Sequence, residues 1–155
     1  MNADTIFQVS DLAGNKRVEF IDAAREGVAR LRDRDGTSLV MLPESALRLL
    51  EQLSTWWEAY TRLDSLLRRT SGVPTARELG DLAWLRTFDR DDVEEFLVEL
   101  NDALVAASAD RSSEVLDRCI RDWRITARQL EDPLRRSVLL GTHSAEDLVE
   151  VDEPK

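Results

Sequence analysis

Apolar residues in this chain fall into two regimes, short alternating or continuous runs near the start and three-to-four-residue periodicity afterwards. Thr5 to Val9 alternates weakly and is rich in β-branched and aromatic residues, which predicts a short first strand. Ser10 reads as an N-cap, so a helix is expected from Asp11 to about Glu26, with Leu12, Phe20, Ile21 and Ala24 turned inward and Gly27 as its stop. Next comes a hairpin signal. Val28 to Asp33 and Leu39 to Leu42 flank Asp35-Gly36, a pair that suits a type I′ turn because both residues tolerate positive φ. Alternation on the incoming strand places Arg30 and Arg32 on one face and Ala29 and Leu31 on the other. The continuous run Leu39 to Leu42 predicts an outgoing strand covered on both sides.

Pro43 suits the first helical position, with Glu44 near the positive end of the helix dipole. Leu47, Leu50, Leu53, Trp57, Tyr60 and Leu67 then keep helical spacing up to the break at Arg68 to Pro74, the expected domain boundary. Beyond it, Asp81 to Leu85 reads as a short helical or turn element. Two amphipathic helices follow, one capped by Asp89 with Val93, Phe96, Leu97, Leu100 and Leu104 on a face. Leu116, Cys119, Ile120, Trp123, Ala127 and Leu130 form the stripe of the second. Joined near Ala109 to Ser112, they are expected to pack as an antiparallel pair. The expected class is α+β: a β-α-β-β-α domain over residues 1–68, a helical domain over 75–140, and an acidic, mobile tail over 141–155.

Charge refines this organisation. The 155 residues carry 21 basic and 31 acidic side chains, a net charge of −10, which taken alone argues against nonspecific nucleic-acid binding. The excess is uneven: net −2 over residues 1–55 and net −8 over 56–155. Only Lys16 and Lys155 are lysine, so anion recognition would fall to arginine. Cys119 is the one cysteine and has no partner for an internal disulfide. With a start, Met-Asn-Ala-Asp, that lacks a basic and an apolar region, this points to a cytoplasmic protein. No apolar run approaches the roughly 20 residues needed to cross a bilayer, so no membrane association is expected.

Catalytic chemistry has little support. His143, the single histidine, lies beside the acidic tail, which leaves no Ser-His-Asp or Cys-His arrangement and no histidine metal site. Asp89, Asp91, Asp92, Glu94 and Glu95 surround a helix start, where acids stabilise the dipole, and capping is preferred to a metal cluster. There is no Gly-rich phosphate loop. The expectation is a non-enzyme with no cofactor and no small-molecule substrate. Cys119, on the apolar stripe, reads as a core residue. Of four tryptophans, Trp57 and Trp123 fall on apolar stripes and are assigned to the core, whereas Trp56 and Trp84 are assigned to a protein interface.

Phe7-Gln8-Val9-Ser10-Asp11-Leu12 leading to a helix with Asn15, Arg32 before the Asp35-Gly36 turn, Leu39-Val40-Met41-Leu42 and a helix opening Pro43-Glu44 together resemble the Phd/YefM (prevent-host-death) antitoxin family. The resemblance covers about residues 5 to 55. It implies a homodimer whose paired sheets and first helices form a DNA-binding platform, with the C-terminal extension gripping a protein toxin. On that basis Asn15, Lys16, Arg17, Arg30, Arg32 and Arg34 are the candidate operator-DNA contacts, since a two-fold pair would double the basic side chains into one surface. Two features depart from the family: its usual arginine two residues before the helix Asn is here Ala13, and the extension is far longer than the usual tail. Without the resemblance, arginines 30, 32 and 34 alternating with Asp33 and Asp35 describe a solvated hairpin with cross-strand ion pairs. The alternative to an antitoxin is a dimeric scaffold that does not bind DNA.

Overall fold

In the computed structural model the described residues are 5–132. The expected tail, His143 and the end of the helical domain lie outside them. The class is mixed α+β, with five α-helices and a three-stranded sheet among the described residues. The chain divides into two compact units, Met1–Ser54 and Thr55–Lys155.

In the first unit, β1 (Ile6–Gln8), β2 (Ala29–Arg32) and β3 (Ser38–Met41) lie side by side in that order. β1 runs parallel to β2, with Phe7 opposite Leu31 and Gln8 opposite Arg32. β3 is antiparallel to β2, with Leu31 opposite Leu39 and Arg30 opposite Val40. The parallel pair requires a crossover, and α1 (Lys16–Glu26) provides it. Its Phe20 and Ala24 pack on Phe7, Ala29 and Leu31, with Leu12 and Ile21 at the rim, as the spacing predicts. Phe7 and Phe20 meet edge to face, ring centroids 5.3 Å apart.

The first helix starts later than expected. Val9–Ala13 is a 3₁₀ segment, and Gly14 in extended backbone separates it from α1. Asp11, not Ser10, organises the entry: its carboxylate accepts the Gln8 backbone N–H at 2.9 Å and pairs with Lys16 Nζ at 3.4 Å. The Gln8 bond, with Lys16 adding to it, holds the Asp11 carboxyl below the usual aspartate range.

The hairpin also differs from the type I′ expectation. Gly36 N–H donates to the Asp33 carbonyl at 3.0 Å and Asp33 N–H to the Thr37 carbonyl at 2.8 Å, which closes a three-residue loop. Only Gly36 has positive φ, at 89°, the pattern of a type I turn followed by a left-handed glycine. Nor is β3 covered on both sides by the described residues. Leu39, Val40 and Met41 are each about half exposed. A helix about 10 Å across covers about two strands spaced about 4.8 Å apart, and α1 takes β1 and β2.

The division between units falls inside α2 (Glu44–Arg69), ahead of the break at residues 68–74. Its later part belongs to the helical unit because Ala59, Leu63 and Leu67 are buried there. Arg90 explains why the break stays attached. Its guanidinium donates to the carbonyls of Leu67 (2.9 Å), Thr70 (2.5 Å) and Gly72 (3.1 Å), closing the end of α2.

After α3 (Ala76–Leu79), which Thr75 and Glu78 cap reciprocally, the 3₁₀ segment Gly80–Thr87 buries Leu82 and Leu85. The helices α4 (Arg90–Asp110) and α5 (Glu114–Glu131) then form the expected hairpin. Asp89 caps α4 by accepting the Asp92 N–H at 2.9 Å. Val93, Phe96, Leu100 and Leu104 face Leu116 and Ile120 in a core where each is at most 7 % exposed. Arg111 makes the turn in left-handed backbone, φ 52°.

Candidate functional site

The sheet face away from α1 carries Ile6 and Gln8 from β1, Arg30 and Arg32 from β2, and Ser38 and Val40 from β3, a consequence of strict alternation and the pairing register. Both arginines are exposed. Arg34 is exposed in the hairpin loop, where its backbone N–H donates to Asp33 Oδ1 at 2.6 Å. Asn15 occupies the cap position of α1 without a side-chain cap bond, and Lys16 and Arg17 open that helix.

Topology brings these residues to one end of the unit. β1 and β2 run parallel, so their C-terminal residues Gln8 and Arg32 are neighbours. Asp11 joins the Gln8 backbone to Lys16, so the start of α1 sits at the same end as Arg32 and the loop of Arg34.

The ion-pair pattern separates two kinds of cation. Lys16 pairs with Asp11, Arg25 with Asp22 and Arg48 with Glu44. Arg17, Arg30, Arg32 and Arg34 make no ion pair with any described residue. The cross-strand pairs that would neutralise the hairpin do not form, because its carboxylates turn to the backbone instead. Asp33 accepts the Arg34 N–H, and Asp35 accepts the Thr37 N–H at 2.9 Å, a bond that lowers the Asp35 pKa.

The same unit exposes apolar residues. Leu39, Val40 and Met41 on β3 and Leu47 and Leu50 on α2 are between 45 and 58 % exposed. Leu39 and Met41 lie on the α1 side of the sheet and Val40 on the arginine side, so β3 is open on both faces, and exposed apolar residues of this kind mark association surfaces.

In the helical unit, Trp84, Phe88, Phe96 and Trp123 form an edge-to-face cluster with centroid separations from 5.2 to 6.5 Å. Trp123 and Trp57 are partly rather than fully buried, Trp57 meeting Tyr60 edge to face at 5.7 Å. Trp56 and Trp84, assigned to an interface from sequence, are both partly covered and flank one guanidinium. Arg124 lies 5.9 Å from the Trp56 ring centre and 5.7 Å from that of Trp84. Trp84 Nε1 is buried without a hydrogen-bond partner, beside a cavity of about 250 Å³ that Arg124, Arg128 and Glu131 also line.

A larger cavity, about 410 Å³, opens between α4 and α5 and was not evident from the sequence. Phe88, Asp92 and Glu99 line it from one side, and Cys119, Asp122 and Trp123 from α5. Trp123 Nε1 donates to Glu99 Oε2 at 2.6 Å. Burial first, then the charges of Glu99 and Asp122, push the Cys119 thiol up from 9.0 to about 11. The signal for this site was Asp92 and Glu99 spaced seven apart on α4 with Asp122 beside Trp123; it was hidden because each residue alone fitted a cap, a solvated face or a core stripe.

Among the described residues no three His, Cys, Asp or Glu side chains gather to hold a metal ion, and no helix is long and apolar enough to cross a membrane. Comparison with known proteins finds no matching family model, no matching curated protein and no matching solved structure.

Proposed function

We propose that this chain is an antitoxin-like regulator of the cytoplasm. Its N-terminal unit is a Phd/YefM-like homodimerisation and operator-binding domain, and its helical unit neutralises a basic protein toxin, with Trp56 and Trp84 contributing to that contact. The role is binding, without catalysis or cofactor. The observation that carries the reading is the presence, in one small unit, of arginines free of described carboxylates and of exposed apolar residues on β3 and α2. A two-fold pair that covers these apolar residues would double the set of Arg17, Arg30, Arg32 and Arg34, with Asn15 and Lys16 at the same end of each unit. Such a doubled cationic surface suits phosphate clamping, and residues on strands and helix starts can reach a groove. The acidic excess of residues 56–155 suits a cationic partner, since complementary potentials speed encounter.

Gel-shift titration against the DNA upstream of the coding sequence tests the regulatory half. Wild type is expected to bind with strong salt dependence. Arg30→Ala with Arg32→Ala should weaken binding and flatten the plot of log K against log salt by about 0.9 for each phosphate left without its arginine. Equal affinity and slope in both proteins would remove the arginines from the interface. No binding at any salt would favour the second reading, a dimeric scaffold without DNA contact, which the alanine at position 13 supports.

A further inference from the structure

We propose that the groove between α4 and α5 is a receptor for one cationic side chain, arginine foremost, presented by a protein partner. This deepens the partner-binding reading of the helical unit and rests on it for its biological setting; the chemistry comes from the groove itself.

Asp92 and Glu99 lie two turns apart on α4, about 10 Å along the axis, and Asp122 faces them from α5. None of the three forms an ion pair with a described cation. Trp123 contributes aromatic surface beside them, backed by the buried Phe88, which meets it edge to face at 5.2 Å. An aromatic wall with carboxylates at its margins is the environment in which a guanidinium both stacks and donates bidentate hydrogen bonds.

Three features favour this occupant over others. An apolar segment would strip water from the carboxylates and return no partner, a cost that a cation removes. A metal ion would need ligands gathered at one point, whereas these carboxylates are spread along a groove, and no metal-competent cluster occurs among the described residues. The same unit already stacks a guanidinium on indole, Arg124 on Trp84 and Trp56, so the recognition mode is one this packing sustains. The raised pKa of the Cys119 thiol marks the negative potential inside the groove, because Glu99 and Asp122 contribute to it after burial. A cavity of about 410 Å³ is within the range of about 300–1,000 Å³ of ligand pockets and accepts an arginine side chain with its flanking backbone.

The experiment is a titration of the full chain, ¹⁵N-labelled, with acetyl-Gly-Arg-Gly-amide, reading the indole N–H signals by NMR. Saturable movement of the Trp123 signal is expected, because its N–H is bonded to Glu99. The citrulline peptide, equal in shape but uncharged, should bind about ten-fold more weakly, as expected when a hydrogen bond is no longer charge-assisted. Glu99→Gln keeps an acceptor for Trp123 and removes a charge; with Asp122→Asn it should erase the preference for arginine while the other indole signals stay in place. Equal binding of the arginine and citrulline peptides, saturation that leaves Trp123 unmoved, or no saturation would each overturn the proposal. No toxin enters this titration, so its failure leaves the antitoxin reading to the gel-shift, and a failed gel-shift leaves the groove standing.

Discussion

Leu50→Asp is the sharpest perturbation of the proposed dimer. Leu50 is 58 % exposed on α2, so an aspartate there costs the isolated unit little beyond helix propensity, about 0.5 kcal/mol. In a two-fold pair that covers Leu50 the cost is different. Fully burying a leucine is worth about 1.5–3 kcal/mol, so covering the exposed part of Leu50 contributes about 1 kcal/mol per protomer, and symmetry counts it twice. About 2 kcal/mol corresponds to about thirty-fold in Kd, before two carboxylates lose their water. Sedimentation equilibrium over a range of protein concentration should therefore show a dimer for wild type and a dissociation constant at least about thirty-fold higher for the variant. Circular dichroism is expected to show the same helix content in both. A wild type that stays monomeric, or a variant that associates as tightly, would refute the argument that the exposed face of α2 is an interface.

Arg90→Leu should lower stability by about 2 kcal/mol, because three carbonyls at the end of α2 lose a charged donor; Arg90→Lys, with one compact ammonium, should recover only part of this in a denaturant melt. Cys119 should alkylate about a hundred-fold more slowly than a free thiol near pH 8, with its rate rising around pH 11 rather than 9.0. The same shift has a sign for stability: the native thiol keeps its proton where the unfolded one loses it, so that contribution is present below pH 9 and fades as pH rises towards 11, readable as a falling melting temperature that Cys119→Ala should not show. A melting temperature independent of pH across that window would contradict the burial of this sulfur.

Sequence periodicity located most elements because each signal was local. The inward set of α1, the alternation of Arg30 and Arg32 against Ala29 and Leu31, the Asp89 cap and the α4–α5 hairpin are set by neighbours within a few residues. What it misplaced depended on contacts that the one-dimensional pattern does not carry. Asp11 turned its carboxylate to Gln8 and Lys16, which made a 3₁₀ segment where an α-helix start was expected. Asp35-Gly36 suggested a two-residue turn, yet the loop holds three residues. That single residue decides that Val40, rather than Leu39 and Met41, shares a face with the arginines. The arginines themselves were legible, but not whether Asp33 and Asp35 would neutralise them; the backbone claimed those carboxylates. The groove was illegible because its walls come from two helices whose facing residues are far apart in sequence.

Arg111 holds a left-handed backbone that an L side chain adopts at a cost of about 1 kcal/mol and glycine adopts freely. The helical hairpin therefore keeps an unused reserve of stability at its bend, outside the residues that line the groove. Arg111→Gly is the route to a sturdier protein whose recognition surfaces are untouched, and a higher melting temperature with unchanged binding would separate robustness from specificity in this chain.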